Sequence, residues 1–263
     1  MGIRAEGTPC WADAMFADLE AAKSFYGELL GWSFGESAAE YGGYTQARVG
    51  DLAVAALSPK PPGMEDAPTA WNLYFATPDA QATAAKVREH GGTLVKEPMQ
   101  VGSFGTMLIA VDPSGVPFSA WQANEHHGFG LVGEPGSFGW AEVCTREARK
   151  ADAFFPLVFP FEVQKMESDE VDFHIWKVDG QPVAGRLKMS EHFPAEVHPF
   201  INVYFCVTGM DDTVATAVRL GGKLLYGPMP SPFGRFAPLM DPQGAMFTVI
   251  DTADTEGRMP SFD

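Results

Sequence analysis

The sequence predicts an α+β fold: four βαβββ modules forming two curved eight-stranded mixed sheets, or cups, with helices outside. Three observations carry that prediction. First, one hairpin is written twice. Asp112-Pro113-Ser114-Gly115 closes on Phe118-Ser119-Ala120-Trp121, and Asp241-Pro242-Gln243-Gly244 closes on Phe247-Thr248-Val249-Ile250. Second, Trp11-Ala12-Asp13 matches Trp140-Ala141-Glu142, and Asn72-Leu73-Tyr74-Phe75 matches Asn202-Val203-Tyr204-Phe205, at nearly the same separation. Third, each half holds a strand, a helix and three strands, then the same again. The halves therefore divide into units 1–127 and 128–263, each with two modules and each large enough for its own core.

The elements follow in order. Residues 7–16 read as a strand. Asp18 caps a helix over 19–30, whose Ala22, Phe25, Tyr26, Leu29 and Leu30 recur at helical spacing until Gly31 stops it. Short strands follow near 32–34, 44–49 and 52–57, with Gly50-Asp51 turning between the last two. Residues 58–68 carry four prolines and a glycine and form a linker. The second module has a strand at 69–77, a helix opening at Pro78-Asp79 and ending at Gly91-Gly92, and strands near 93–101, 104–111 and 116–122. In the Asp-Pro-x-Gly turn, Pro presets φ and Gly relieves a tight position. The second half repeats the order: strand 137–145, helix 147–158, strands near 161–166, 171–178 and 181–188, linker 189–198, then a strand, a helix over 211–220 and three strands. Pro156 should shorten or kink the third helix. Four such modules do not suit a doubly wound sheet or a closed up-and-down barrel. Two side by side make a curved sheet whose concave face is a pocket.

Apolar residues make up 46% and charged residues 20% of the chain, as in an ordinary globular protein. Eighteen basic against 34 acidic side chains give a net charge of −16, which argues against nucleic acid or an anionic membrane as partner. No apolar run approaches the ~18 residues needed to span a bilayer. The stretch Met1-Gly2-Ile3-Arg4-Ala5-Glu6 lacks the apolar core of a signal peptide. Cys10, Cys144 and Cys206 are far apart, lack metal-type spacing and read as buried thiols in a reducing cytoplasm. A phosphate-loop pattern, a dinucleotide glycine fingerprint and a nucleophile elbow are all missing, so no cofactor is expected.

The run Asp18-Leu19-Glu20 through Phe25-Tyr26-Gly27-Glu28-Leu29-Leu30-Gly31-Trp32, with the turn Asp112-Pro113-Ser114-Gly115, resembles the glyoxalase, bleomycin-resistance protein and extradiol dioxygenase superfamily, also called the vicinal oxygen chelate fold. The closer resemblance is to two-domain, glyoxalase-like actinobacterial proteins often labelled hydroxylases. The resemblance implies a metal triad in the family's metal enzymes: a His from a first strand, a His from the strand opening the next module and a Glu from the last strand. Carried over one at a time, these positions fall on Trp11, Asn72 and Ser119, and in the second half on Trp140, Asn202 and Thr248. None is His or a carboxylate. Indole offers a metal no lone pair, and amide and hydroxyl oxygens are weak ligands for a transition ion. No metal is therefore expected. His126 and His127 lie between the halves, and His174, on a strand without a partner at a ligand spacing, reads as a hydrogen-bonded or exposed strand residue.

Strand side chains alternate faces, so Trp11 goes with Asp13, Asn72 with Tyr74, Ser119 with Trp121, Trp140 with Glu142 and Asn202 with Tyr204. Each cup gains an aromatic wall, an amide and a carboxylate, a set that suits a planar, partly apolar small molecule. Burial of Asp13 or Glu142 would raise its pKa toward acid–base use, with Asn72 or Asn202 polarising a carbonyl. Alternatively the aromatics fill a core and each acid pairs with a strand neighbour such as Arg48 or Lys177. Arg235 reads as a surface residue or as a guard of the second mouth. The leading expectation is a metal-free pocket acting on an aromatic or polyketide-type molecule by acid–base chemistry, as a glyoxalase-like lyase or isomerase or a hydroxylase. The alternatives are a protein that sequesters a drug or metabolite without turnover, and a metal-dependent lyase or dioxygenase. The expected assembly is a monomer or homodimer.

Overall fold

The structure, a computed structural model, describes residues 2–168 and 171–257. The expectations that touch Met1 and the last six positions of the unit 128–263 fall outside those residues. The first half runs β1 (Pro9–Phe16), α1 (Leu19–Leu30), β2 (Ser33–Phe34), a 3₁₀ turn (Ala39–Tyr41), β3 (Thr45–Val49), β4 (Leu52–Pro59), β5 (Trp71–Ala76), α2 (Ala80–Glu89), β6 (Thr93–Val101), β7 (Gly105–Val111) and β8 (Pro117–Ala123). The second runs β9 (Phe138–Thr145), α3 (Ala148–Val158), β10 (Glu162–Lys165), β11 (Phe173–Val178), β12 (Gln181–Lys188), β13 (Phe200–Cys206), α4 (Met210–Arg219), β14 (Lys223–Leu224), β15 (Arg235–Met240) and β16 (Met246–Asp251).

Each half makes one eight-stranded mixed sheet, in the orders β2-β3-β4-β1-β5-β8-β7-β6 and β10-β11-β12-β9-β13-β16-β15-β14. The first strands of the two modules meet antiparallel at the centre, with Asp13 opposite Asn72 and Glu142 opposite Asn202. Flanking strands join in parallel, as Tyr74 with Ser119 and Tyr204 with Thr248. The predicted α+β architecture of two mixed sheets is the one observed.

Local chemistry explains the helices. The Asp18 carboxylate accepts from the Ala21 N–H and caps α1, and Gly31 takes the left-handed conformation at its end. Asp79 accepts from the Gln81 and Ala82 N–H groups and caps α2. Helix α3 continues through Pro156 to Val158, so the proline neither ends it early nor shortens it by a turn. It lies in the last turn, so the helix forfeits only the bond from position 156 to the Asp152 carbonyl and ends two residues later. The clearest departure from the repeat is β14, two residues long where β6 has nine. Pro228, Pro230 and Pro232 follow it, and proline cannot donate to a strand ladder.

The convex faces of the two sheets share one core. Trp71 and Phe75 of β5 point there, and Trp71 meets Phe205 of β13 at 4.9 Å between ring centroids. Phe25 and Tyr26 of α1 pack on Phe247 of β16, while Phe155 of α3 packs on Phe75 and Phe118. Each of these helices therefore touches the sheet of the other half. Cys10, Cys144 and Cys206 are buried free thiols. Burial pushes Cys10 up to about 12 and Cys206 up to about 11, which keeps them protonated. Among the described residues, no helix is long and apolar enough to cross a membrane.

Candidate functional site: two cups with a carboxylate at the floor

Alternation along β5 sends Trp71, Leu73 and Phe75 to the shared core and leaves Asn72 and Tyr74 on the concave face. There they meet Asp13 of β1. The Tyr74 hydroxyl donates to Asp13 Oδ2 at 3.0 Å and the Asn72 amide donates to Oδ1 at 3.2 Å. Ser119 of β8 donates to the Asn72 carbonyl oxygen at 2.9 Å. Trp11 joins indirectly: its indole N–H donates at 2.6 Å to the Tyr44 hydroxyl, which donates at 3.0 Å to Asp13 Oδ2. Trp121 stands edge-on to Tyr74, 6.3 Å between centroids. All six residues predicted for the first cup therefore come together around one carboxylate.

In the second cup the Tyr204 hydroxyl donates to Glu142 Oε2 at 2.8 Å. Asn202 and Thr248 are brought together as well, but they bond to each other, at 2.9 and 3.1 Å, and not to the acid. Neither Arg48 nor Lys177 pairs with an acid of the cups. Arg48 bonds the Asp51 carbonyl and Gln46, and among the described residues Lys177 makes no ion pair. Both carboxylates thus sit among neutral donors. Burial pushes Asp13 up to about 6 against the pull of Asn72, Tyr74 and Tyr44, and pushes Glu142 up to about 7 against Tyr204 and Trp140. Asp13, Asn72, Trp140, Glu142 and Asn202 remain half-buried and not sealed.

The structure adds residues that the sequence did not single out. Tyr44 lies just before β3, inside the strand expected at 44–49, and shares a face with Gln46, so alternation along that strand was enough to find it. His126 comes from the connection between the halves, which carries no periodic signal. Its ring stands edge-on to Trp11 at 4.4 Å, its carbonyl accepts the Trp121 indole N–H at 2.8 Å, and burial lowers its pKa to about 4. In the second cup, Phe236 lies 6.4 Å from Tyr204, and burial followed by the charge on Glu142 raises the phenol of half-exposed Tyr226. His174 lies away from the cup floor, with Nδ1 3.1 Å from Asp152. Arg235 pairs with Asp211 on the surface. Two hollows of about 290 and 220 Å³ lie at sheet edges and are lined by none of the predicted site residues.

The six positions that the resemblance assigns to metal ligands do not fit a transition ion. Trp11 and Trp140 present N–H donors, the Asn72 carbonyl oxygen already accepts from Ser119, and the Asn202 amide is committed to Thr248. Among the described residues, no three His, Cys, Asp or Glu side chains gather as a metal site.

The family model described as the Glyoxalase/Bleomycin resistance protein/Dioxygenase superfamily matches residues 11–120. A Mycobacterium bovis protein, provisionally named glyoxylase CFP32, is 37% identical over 94% of this chain and 96% of its own. The anthracycline biosynthesis protein DnrV of Streptomyces peucetius is 34% identical over 94% of each chain. Among solved structures, the Mn(II)-bound glyoxalase from Novosphingobium aromaticivorans superposes with a TM-score of 0.63 at 17% identity, covering 97% of this chain and 87% of that one. At that identity the likeness concerns the fold.

Proposed function

From the premise that the chain belongs to the glyoxalase/bleomycin resistance protein/dioxygenase superfamily, we propose that it acts on an aromatic, polyketide-type small molecule by acid–base chemistry. One cup would lie in each of the units 1–127 and 128–263. The observation that carries this reading is a carboxylate at each cup floor that accepts from tyrosine hydroxyls and, among the described residues, pairs with no cation. Raised this far, Glu142 is close to half-ionised near neutral pH and Asp13 about a unit below it, a range in which a carboxyl can accept and return a proton. An acidic C–H or O–H of the ligand would lose its proton to Asp13 or Glu142. The amide of Asn72 or Asn202, which carries two N–H groups, would donate to the ligand carbonyl that takes up the charge. The likeness to an anthracycline biosynthesis protein supports a fused-ring aromatic ligand, which the walls of Trp11, Tyr74 and Trp121 or of Trp140 and Tyr204 would stack against.

The test is turnover of an anthracycline aglycone, followed by chromatography, with wild type and the Asp13→Asn/Glu142→Gln double variant. The reading expects consumption by wild type that the double variant loses; aglycone returned unchanged by wild type defeats it. One observation favours a second reading, binding without turnover: Asp13 is already held by three protein donors. In that case the aglycone quenches tryptophan fluorescence and is recovered intact.

A further inference from the structure

The cups are not equivalent, and the difference lies on corresponding strands. In the first cup Gln46, Ala56, Asp13 and Asn72 stand in one row across the sheet. In the second the same row is Ile175, Gly185, Glu142 and Asn202. Two residues back from Gln46 and Ile175, on the same face, stand Tyr44 and Phe173. Tyr44 donates to Asp13. Phe173 has no hydroxyl, and its ring lies over Gly185, where a Cβ would come within 2.5 Å of it and 3.4 Å of Glu142 Cγ. Glu142 thus lacks the second tyrosine, and Asn202 is turned away to Thr248. Asp13 has three side-chain donors, Glu142 one, Tyr204. A carboxylate offers about four acceptor sites, so more of Glu142 is left for a guest.

Aromatic surface differs in the same sense. In the first cup His126 stands edge-on to Trp11, and Tyr41, from the 3₁₀ turn before β3, stands edge-on to Phe104 of the β6–β7 turn, 5.6 Å between centroids. The Tyr41 hydroxyl is so close to Gly102 that a Cβ there would lie 2.2 Å from it. In the second cup Trp140 has no ring partner among the described residues and is half-buried, and Tyr226 is 50% exposed.

Resting on the reading above, we propose that the second cup is the ligand-binding one, and that it selects hydroxylated aromatic molecules. The ligand's phenolic O–H donates to Glu142 on an acceptor site that Tyr204 leaves free, and its ring is taken up by Trp140 and Tyr226. A buried carboxylate with an unfilled acceptor rewards a ligand that brings a donor and penalises one that brings only an ether oxygen. The first cup, with its acid bonded and its indole against His126, is the self-filled counterpart.

Calorimetric titration with 2-naphthol and 2-methoxynaphthalene at pH 8 tests this. Wild type should bind the naphthol at least about tenfold more tightly, the effect of one hydrogen bond to a charged group. Glu142→Gln should cut that preference to under about threefold. Phe173→Tyr, which gives Glu142 an internal donor, should narrow it without removing the acid. Equal binding of the two probes, no binding of either at millimolar concentration, or a preference that survives Glu142→Gln overturns the inference. So does a preference lost in Asp13→Asn and kept in Glu142→Gln, which would move the site to the first cup. These readouts are of binding, so they stand or fall separately from turnover of the aglycone.

Discussion

The Tyr26 hydroxyl donates to Asp241 Oδ2 at 2.8 Å, tying the first helix to the Asp-Pro-x-Gly turn of the other half. The same hydroxyl accepts the Trp71 indole N–H at 3.0 Å. Burial and the nearby Asp241 charge hold the Tyr26 phenol well above its usual range, so it stays a donor. Tyr26→Phe leaves a buried carboxylate oxygen and an indole N–H each short of a partner. It should lower the unfolding free energy by about 1–3 kcal/mol. Urea denaturation measures this, and a loss under about 0.5 kcal/mol would show that water replaces the hydroxyl.

Tyr44 and Phe173 predict opposite responses to exchange. A hydrogen bond to the ionised form lowers a carboxyl pKa, so Tyr44→Phe should raise Asp13 above about 6. Phe173→Tyr should lower Glu142 below about 7. Carboxyl-detected NMR or infrared titration gives both directions. Shifts in the same direction would mean that burial alone sets these values.

The frame of the molecule was legible in the sequence because its signals are local. Asp18 and Gly31 bracket α1 within a single helix, and the paired turns at Asp112 and Asp241 fix where β8 and β16 begin. Alternation then placed Asp13 with Trp11, and Asn72 with Tyr74, on a common face. What it could not supply is contact across long sequence distances. His126 reaches Trp11 over 115 positions, out of a segment without periodicity. The shared core was hidden for the same reason: no pattern says that Phe155 of α3 belongs on Phe75 of the other half. The short β14 was visible in its prolines, but the strength of the repeat masked it.

The raised acids make stability depend on pH, with a definite sign. Glu142 moves from near 4.5 up to about 7 on folding, so the folded state holds a proton that the unfolded chain releases. Stability from this group is full below the unfolded pKa and is lost as pH rises through the folded value. Asp13 acts likewise from near 3.8 to about 6. Glu142→Gln should therefore flatten the stability profile between about pH 4.5 and 7 and be more stable than wild type at pH 8, by on the order of 1–3 kcal/mol. Denaturation at several pH values decides it; a variant that is less stable at pH 8 would show that the ionised acid is well accommodated.

Arg186 allows the most demanding prediction. Its side chain is only 1% exposed, and it binds Asp152 of α3 through Nε and Nη2, at 2.8 and 2.9 Å, and Asp172 through Nη1 at 2.7 Å. Arg186→Met leaves Asp152 and Asp172 without their cation, but these carboxylates are 25% and 43% exposed and partly solvated, so the change should cost about 1–3 kcal/mol at pH 8. His174 provides the internal check. Burial holds its pKa low, the Arg186 charge adds to that, and Asp152 and Asp172 oppose it. Without the guanidinium the two carboxylates prevail, and the imidazole pKa should rise. A protonated His174 can then stand in for part of the lost cation, so the variant's deficit should shrink as pH falls below the new imidazole value. NMR titration of the His174 ring, run beside denaturation at pH 8 and pH 5.5, reads both. An unmoved ring with a deficit equal at both pH values would mean that Arg186 matters for its packing and not for its charge.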